Sequence, residues 1–389
     1  MSNKRRLLFV NSHMKIGGGE KSLLDLLQHM DYSQYDVDLL LIEGKGDYFR
    51  LIPSEVNIKY VDLTQAYGPI FHTIVANIRK WKLGFAWYRI ISFLSGMFGK
   101  KLLRLASPVF HLHDHYDCVI SYRPGPCADV ATFIVNANKK ICWWHNGKCD
   151  YSEQQIADVD TTWKYMDYVV AVSEGAKKLI SDHFTFPNDK ILVIPNMIDI
   201  NVVQSLAGNS SPYNDSAAAR IITVCRISPE KHLENIIYAM SHLQLSENKK
   251  IRWYIVGDGP ERDNLNSLIV ENGLSDEVIL LGEQVNPYPY VKFSDYYVNT
   301  SYQESQSISV IEAMTLHVPC VVTRTLGTDG YCKDGVNCIV AEQTKESLLH
   351  AVKEMLKKKD IVFLTDNAFQ TVNQEFSSNV IVSKVLSIL

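Results

Sequence analysis

Two cations and two carboxylates stand where they could handle a charged, hydroxyl-bearing small molecule. Arg226 closes the apolar run RIITVCR, and Lys231 follows in SPEK. The Ser228-Pro229 pair reads as a helix cap with proline in the first turn, which places Lys231 in that turn. Ligands of open α/β sheets bind beyond the carboxyl ends of strands, and helix N-termini favour anions. Two fixed cations there suit a diphosphate and would stabilise a departing nucleotide diphosphate. Taken alone they read equally well as surface cations. Glu304 and Glu312 lie in YQESQSISVIEAM. The pattern puts Glu304 in the loop after DYYVNTS and Glu312 two turns into a helix over 306–316. Backbone N–H groups of Ser305, Gln306, Ser307 and Ile308 would be open to phosphate or sugar oxygens. A carboxylate accepts from vicinal sugar hydroxyls. Paired carboxylates also serve as the acid and base of a glycoside hydrolase. With both on one strand–helix unit beside two cations, nucleotide-sugar binding is the better reading. In isolation, a glutamate in a helix's early turns is a dipole partner.

The first half holds a second set. IGGGEKS places Gly17, Gly18 and Gly19 before a helix, as a tight turn with close backbone approach. It is not a P-loop, because Glu20 intervenes before Lys21, and it lacks the Gly-x-Gly-x-x-Gly spacing. His145 ends KKICWWH at a strand's carboxyl end. A lone histidine is more often structural, but that position faces a ligand crevice. Trp143 and Trp144 read as core, and Asn146-Gly147 as a turn.

These residues need strands and helices to carry them. RLLFVNS, DVDLLLIEG, DCVISYR, KKICWWH, YVVAVS and ILVIPN read as strands, with a helix over 20–29. From Arg220 the alternation restarts: RIITVCR, a helix from Pro229, RWYIVGDG, a helix from Pro260, VILLGE, DYYVNTS, PCVVTR and a helix over 345–357. Residues 361–389 read as helical. Strand–helix alternation implies parallel sheets with right-handed crossovers, and two series imply two doubly wound domains. The expected division is 1–198, 199–370 and a C-terminal helix, 371–389, packing back on the first domain. The turn-rich stretch 207–219 is the expected linker.

The chain has 389 residues, 46% of them hydrophobic and 21% charged, with net charge −4. That is the profile of a two-domain globular protein and argues against a nucleic-acid binder. Its eight cysteines form no Cys-x-x-Cys pair, so zinc is not expected and reduced thiols in a cytoplasm are. MSNKRRLLFV reads as a first strand, not a signal peptide, and no apolar run is long enough to span a membrane. Residues 63–113 contain no Asp or Glu. They mix Arg79, Lys80, Lys82, Arg89, Lys100, Lys101 and Arg104 with Trp81, Phe85, Trp87, Phe93 and Phe98. This composition fits an anionic membrane surface; the plainer alternative is a core helix with a solvated basic face.

The segments VCRISPEKHLENIIYAM, WYIVGDGPERDNL, VNPYPYVKFSDYYVNTSYQESQSISVIEAMTLHVPCVVTRTLGTDG and GVNCIV together resemble the retaining glycosyltransferases of family 4. The likeness continues more faintly through SEGAKK and VIPNMID to the glycine loop. It implies the GT-B architecture, two Rossmann-like domains facing a cleft, with donor on the second domain and acceptor on the first. It further implies that Arg226 and Lys231 bind the donor diphosphate, Glu304 contacts the transferred sugar and Glu312 holds the ribose. Gly257 to Gly259 would shape the nucleotide cleft, with Gln284 and Val285 near the base. The resemblance gives Gly17 and Gly18 a donor-phosphate or acceptor contact and sets His145 near the transferred sugar. The resemblance also implies that no metal is needed, with the cations Arg226 and Lys231 taking that role. The implied partners are a UDP-sugar and a glycan or lipid-linked acceptor of surface-polysaccharide assembly at the inner membrane face. The chain departs from the family pattern at Ser305, Gln306 and Ser307, where Ser307 would add a hydroxyl, and at His317-Val318. A sugar-nucleotide epimerase, a phosphorylase, a non-catalytic partner subunit and, most weakly, a Rossmann oxidoreductase are the other classes.

Overall fold

The computed structural model describes residues 4–214, 219–246 and 251–389. They form two compact units. The first runs to Val172, resumes over Ala176–Ile194 and ends with Val382–Leu389; the second comprises Ser173–Gly175 and Pro195–Ile381. The crossing at residues 194–195 precedes the expected boundary. A helix at 200–206 precedes the expected linker stretch, whose residues 215–218 lie outside those described.

In chain order the elements are β1 (Arg5–Asn11), α1 (Gly18–Gln28), β2 (Tyr35–Leu41), β3 (Asn57–Tyr60), α2 (Ile70–Arg79), α3 (Leu83–Phe98), β4 (Tyr116–Ser121), α4 (Pro126–Asp129), β5 (Ala137–Trp144), α5 (Glu153–Trp163), β6 (Tyr168–Ala171), α6 (Glu174–His183) and β7 (Ile191–Val193). Then follow α7 (Ile200–Leu206), β8 (Ala219–Val224), α8 (Glu234–Ser246), β9 (Ile251–Val256), α9 (Arg262–Glu271), β10 (Val278–Gly282), α10 (Tyr288–Lys292), β11 (Tyr296–Asn299), α11 (Ile308–Thr315), β12 (Cys320–Thr323), β13 (Ile339–Ala341), α12 (Lys345–Lys357), α13 (Ile361–Glu375) and α14 (Ser378–Ile388).

The first unit holds a seven-stranded sheet in the order β3-β2-β1-β4-β5-β6-β7, the second a six-stranded sheet in the order β10-β9-β8-β11-β12-β13. Each is parallel throughout. The strand order reverses between β1 and β4 in one and between β8 and β11 in the other. Such switch points are where open α/β sheets bind ligands.

Parallel strands buried on both faces read as continuous apolar runs, and alternate residues face opposite ways. In β8, Ile221 packs with Ile236, Met240, Leu265 and Val352 under α8, α9 and α12. Its neighbour Ile222 joins Val203, Val291, Ile311 and Val372 under α7, α10, α11 and α13. The strand β3 escaped sequence reading because NIKY is a half-buried edge. The C-terminus lies in the first unit, where the Arg5 guanidinium and the Lys139 ammonium donate to the carbonyls of Leu389 and Ile388 at 2.6 and 2.9 Å.

The acid-free stretch is not one core helix. It forms α2, α3 and a 3-10 stretch over Lys100–Phe110, with only Ala86, Ile91 and Ser95 of α3 buried. Among the described residues no helix is long and apolar enough to cross a membrane.

Candidate functional site

The second unit gathers its chemistry around the β8/β11 switch point. Arg226 follows β8 and is exposed, and among the described residues it makes no hydrogen bond or ion pair. Lys231 is held differently from expectation. Pro229–Lys231 form a 3-10 turn, His232 takes a left-handed conformation (φ 46°), and α8 begins only at Glu234. The Ser228 hydroxyl donates to Glu230 at 2.6 Å instead of capping a helix. Lys231 therefore owes its placement to a turn and not to a helix N-terminus.

That turn is tied to the loop after β11. The Thr300 hydroxyl donates to the Lys231 carbonyl at 2.6 Å, the Tyr302 amide donates to the Glu230 carbonyl at 3.0 Å, and Tyr302 stacks on His232 at 3.8 Å. These contacts bring the Lys231 ammonium to 2.8 Å from the Glu304 carboxylate, with only 16% and 13% of the two side chains exposed. Burial opposes the Lys231 charge, but the Glu304 carboxylate and its hydrogen bond prevail and raise the lysine pKa. Asn299, at the end of β11, donates to the Ser307 hydroxyl at 3.1 Å and approaches Glu304 at 3.5 Å. Ser307 is buried and its hydroxyl oxygen accepts from Asn299, which leaves its own O–H proton uncommitted in that bond. Gln306 is also inward: its side chain accepts from the Asn196 amide at 2.6 Å and donates to the Asn196 carbonyl at 3.1 Å. Ile308 is the first residue of α11, which makes Glu312 the fifth, little more than one turn in and not two. Glu312 is buried and accepts from the Tyr288 hydroxyl at 2.8 Å.

Gly257 takes φ 137°, and an added Cβ there would overlap the Cys225 carbonyl oxygen, so only glycine lets the β8 and β9 ends close together. Gln284 and Val285 lie in the loop between β10 and α10; Gln284 donates to the Leu281 carbonyl at 3.0 Å and Val285 is fully exposed. Sequence reasoning missed Asn299, Thr300, Tyr288 and Gly327, whose Cβ would stand 2.5 Å from the Glu304 carbonyl oxygen. The first three are ordinary strand and helix residues by type, and only the fold aims them.

The first unit has its own cluster at the β1/β4 switch point. Glu20, in the first turn of α1, is buried and paired with Arg123, which follows β4, and His13 lies 3.4 Å from the same carboxylate oxygen. Neither Glu20 nor Arg123 stood out in the sequence. The glycine loop serves this pair. Gly17 has an extended backbone (φ 177°), and Gly18 and Gly19 open α1, so no left-handed turn is needed. An added Cβ at Gly17, however, would come 2.5 Å from the Glu20 carboxylate. His145 follows β5, tilted against Tyr122 at 4.9 Å. Part of its surface stays open, yet both ring nitrogens are buried without hydrogen-bond partners. Burial, then the Arg123 charge, lowers its pKa to about 3, which keeps the imidazole neutral. Trp143 stacks on Tyr122 at 5.5 Å and Trp144 lies in an aromatic cluster, both core. Among the described residues no three His, Cys, Asp or Glu side chains gather as metal ligands.

Two family models match this chain in series: Glycosyltransferase Family 4 over residues 16–202 and Glycosyl transferases group 1 over 213–368. The chain is thus a family 4-like glycosyltransferase. An uncharacterized glycosyltransferase of Methanocaldococcus jannaschii is 28% identical over 57% of this chain and 57% of that protein. The alpha-monoglucosyldiacylglycerol synthase of Acholeplasma laidlawii is 28% identical over 67% of this chain and 63% of that protein. The aligned region thus spans about three fifths of the length of these relatives. The crystal structure of Anabaena HepE in complex with UDP and glucose superimposes with a TM-score of 0.71 at 17% identity, covering 98% of both chains. The glycosyltransferase therefore has the GT-B architecture.

Proposed function

We propose that this glycosyltransferase moves a sugar from a UDP-sugar to a glycan or lipid-linked glycan acceptor, with retention at the anomeric carbon, in surface-polysaccharide assembly. The reading is carried by the half-buried Lys231–Glu304 pair at the β8/β11 switch point, beside the unpaired Arg226. An ammonium has three donors, so Lys231 can keep Glu304 and still meet a diphosphate oxygen. Arg226 would bind the diphosphate from the solvent side, Glu304 the transferred sugar, and Glu312 the ribose. In the reaction the bond from the anomeric carbon to the leaving phosphate oxygen breaks while the acceptor oxygen attacks the same face. The leaving phosphate takes the acceptor's proton, and Lys231 and Arg226 stabilise its growing charge without a metal. On the acceptor side the neutral His145 offers a ring nitrogen to a hydroxyl.

UDP as donor is supported by the UDP and glucose bound in the Anabaena structure, and a lipid acceptor by the name of the Acholeplasma laidlawii relative. Exposed Phe71, Trp81, Leu83, Met97 and Phe98 in the acid-free stretch suit an anionic membrane surface. Its cations are not all available: Lys100 is committed to Asp129 at 2.9 Å and Asp158 at 2.7 Å. A thermal-shift series with UDP-, GDP-, ADP- and CDP-sugars tests the donor; the UDP-sugar should stabilise most. No response to any of the four would sink this reading. Flotation with anionic and neutral liposomes tests the surface, and equal recovery with both would count against it.

A further inference from the structure

A groove of about 860 Å³ runs along the free edge of β3 in the first unit. Its volume is that of a small-molecule site. Trp81, Phe85, Trp87 and Phe110 form much of its wall, and no Asp or Glu lines it. Lys82 donates to the neutral side-chain oxygen of Gln65 at 2.6 Å; its charge is felt by the Asp62 carboxylate, but among the described residues it forms no ion pair.

Trp81 is unusual twice over. It sits between α2 and α3 in the left-handed region (φ 56°), and 87% of it is exposed. A large side chain in that region is strained where glycine would not be. An indole left in water returns little folding stability for that strain, so its use lies in what it meets. Trp87 has its indole N–H satisfied by the Leu105 carbonyl at 2.9 Å, while 45% of the residue stays exposed. Its polar atom is thus engaged internally and the ring remains open. Exposed Ile78, Leu83 and Leu105 continue the apolar surface around it.

We propose that this groove takes up one acyl chain of an anionic phospholipid, with the phosphate against Lys82 and the chain against Trp81, Phe85 and Trp87. This rests on the membrane-surface reading above and adds a discrete site to it. Charge selects the occupant: an acid-free wall with an unpaired ammonium favours an anionic head, and aromatic walls favour a hydrocarbon chain. The bare edge of β3 would also suit a second copy of this chain, which the experiment below separates.

Monomeric dihexanoyl-phosphatidylglycerol, below its micelle concentration, is titrated against tryptophan fluorescence. Trp143, Trp144, Trp163 and Trp253 are at most 2% exposed, so the signal reports on Trp81 and Trp87. Saturable binding is expected, with none for glycerol phosphate. Gly84→Leu should weaken it at least about tenfold: its Cβ would lie 3.7 Å from Val109, an ordinary contact, and the remaining side chain would fill the groove. Trp81→Gly should weaken it while leaving the melting temperature unchanged or higher. Equal binding by the Gly84→Leu variant overturns the proposal. So does a concentration-dependent dimer that this substitution abolishes, because a second copy would then be the occupant. Monomer binding without vesicle flotation leaves the groove standing and removes the membrane reading; flotation without monomer binding does the reverse.

Discussion

Each unit carries a carboxylate–cation pair across its sheet's switch point, but the order is inverted. In the second unit the cation, Lys231, follows β8 and the carboxylate, Glu304, follows β11. In the first the carboxylate, Glu20, follows β1 and the cation, Arg123, follows β4. Both pairs join loops that the chain keeps far apart. They differ in what is left over. Around Lys231 the loops are bound to each other by backbone and hydroxyl bonds, so the pair is a rigid wall with Arg226 free beside it. Around Arg123 the free groups are histidine nitrogens, neutral and unpartnered. The second-unit pair thus leaves a charged group exposed, whereas the first-unit cluster leaves a neutral ring whose nitrogens are buried.

The largest effect should come from breaking the second-unit pair. Lys231→Ala is expected to reduce turnover by about 10²–10³-fold, as loss of a charge-stabilising donor does. Sugar-transfer or donor-hydrolysis rates of the folded variant measure it, and unimpaired turnover would remove Lys231 from the mechanism. In the first unit, Glu20→Gln should act mainly on stability. It should cost about 1–3 kcal/mol as a lost charged hydrogen bond, read from the denaturant midpoint. A loss of turnover at unchanged stability would make the two pairs equivalent and undo the contrast. Glu312→Ala should weaken nucleotide binding about tenfold, about 1.4 kcal/mol, with rate at saturating donor retained. Calorimetry against UDP checks it, and a change confined to the rate would contradict the ribose assignment.

The remaining effect appears only on acidification. His145 has its pKa lowered to about 3, against about 6.5 unfolded. Below about pH 6.5 the unfolded chain binds a proton that the folded one refuses, so stability falls as pH drops towards 3. His145→Gln should flatten that acid limb in a series of melting curves. An unchanged slope would show that its nitrogens find partners in solution.

Much of the second unit was legible in sequence because its strands are short apolar runs punctuated by Gly and Pro, and the helix over 345–357 formed as expected. The Ser228-Pro229 signal misled, since a local cap preference lost to the ties between Tyr302, Thr300 and the 229–231 turn. The Asn299 amide that donates to the Ser307 hydroxyl oxygen had no local signal. The Gly17 loop was legible as a tight turn because its glycines are visible locally, whereas the approach of the Glu20 carboxylate to Gly17 is not.

By itself the sequence determined the alternation of strands and helices, the two series, and the order of the donor-half segments. These follow from periodicity and turn chemistry, which act over a few residues. Only the tertiary structure decided which carboxylate meets which cation, which hydroxyls are consumed internally, and that Trp81 faces water. Those outcomes depend on strand order and on loop contacts between residues as far as 103 and 110 positions apart, and no local pattern carries that information.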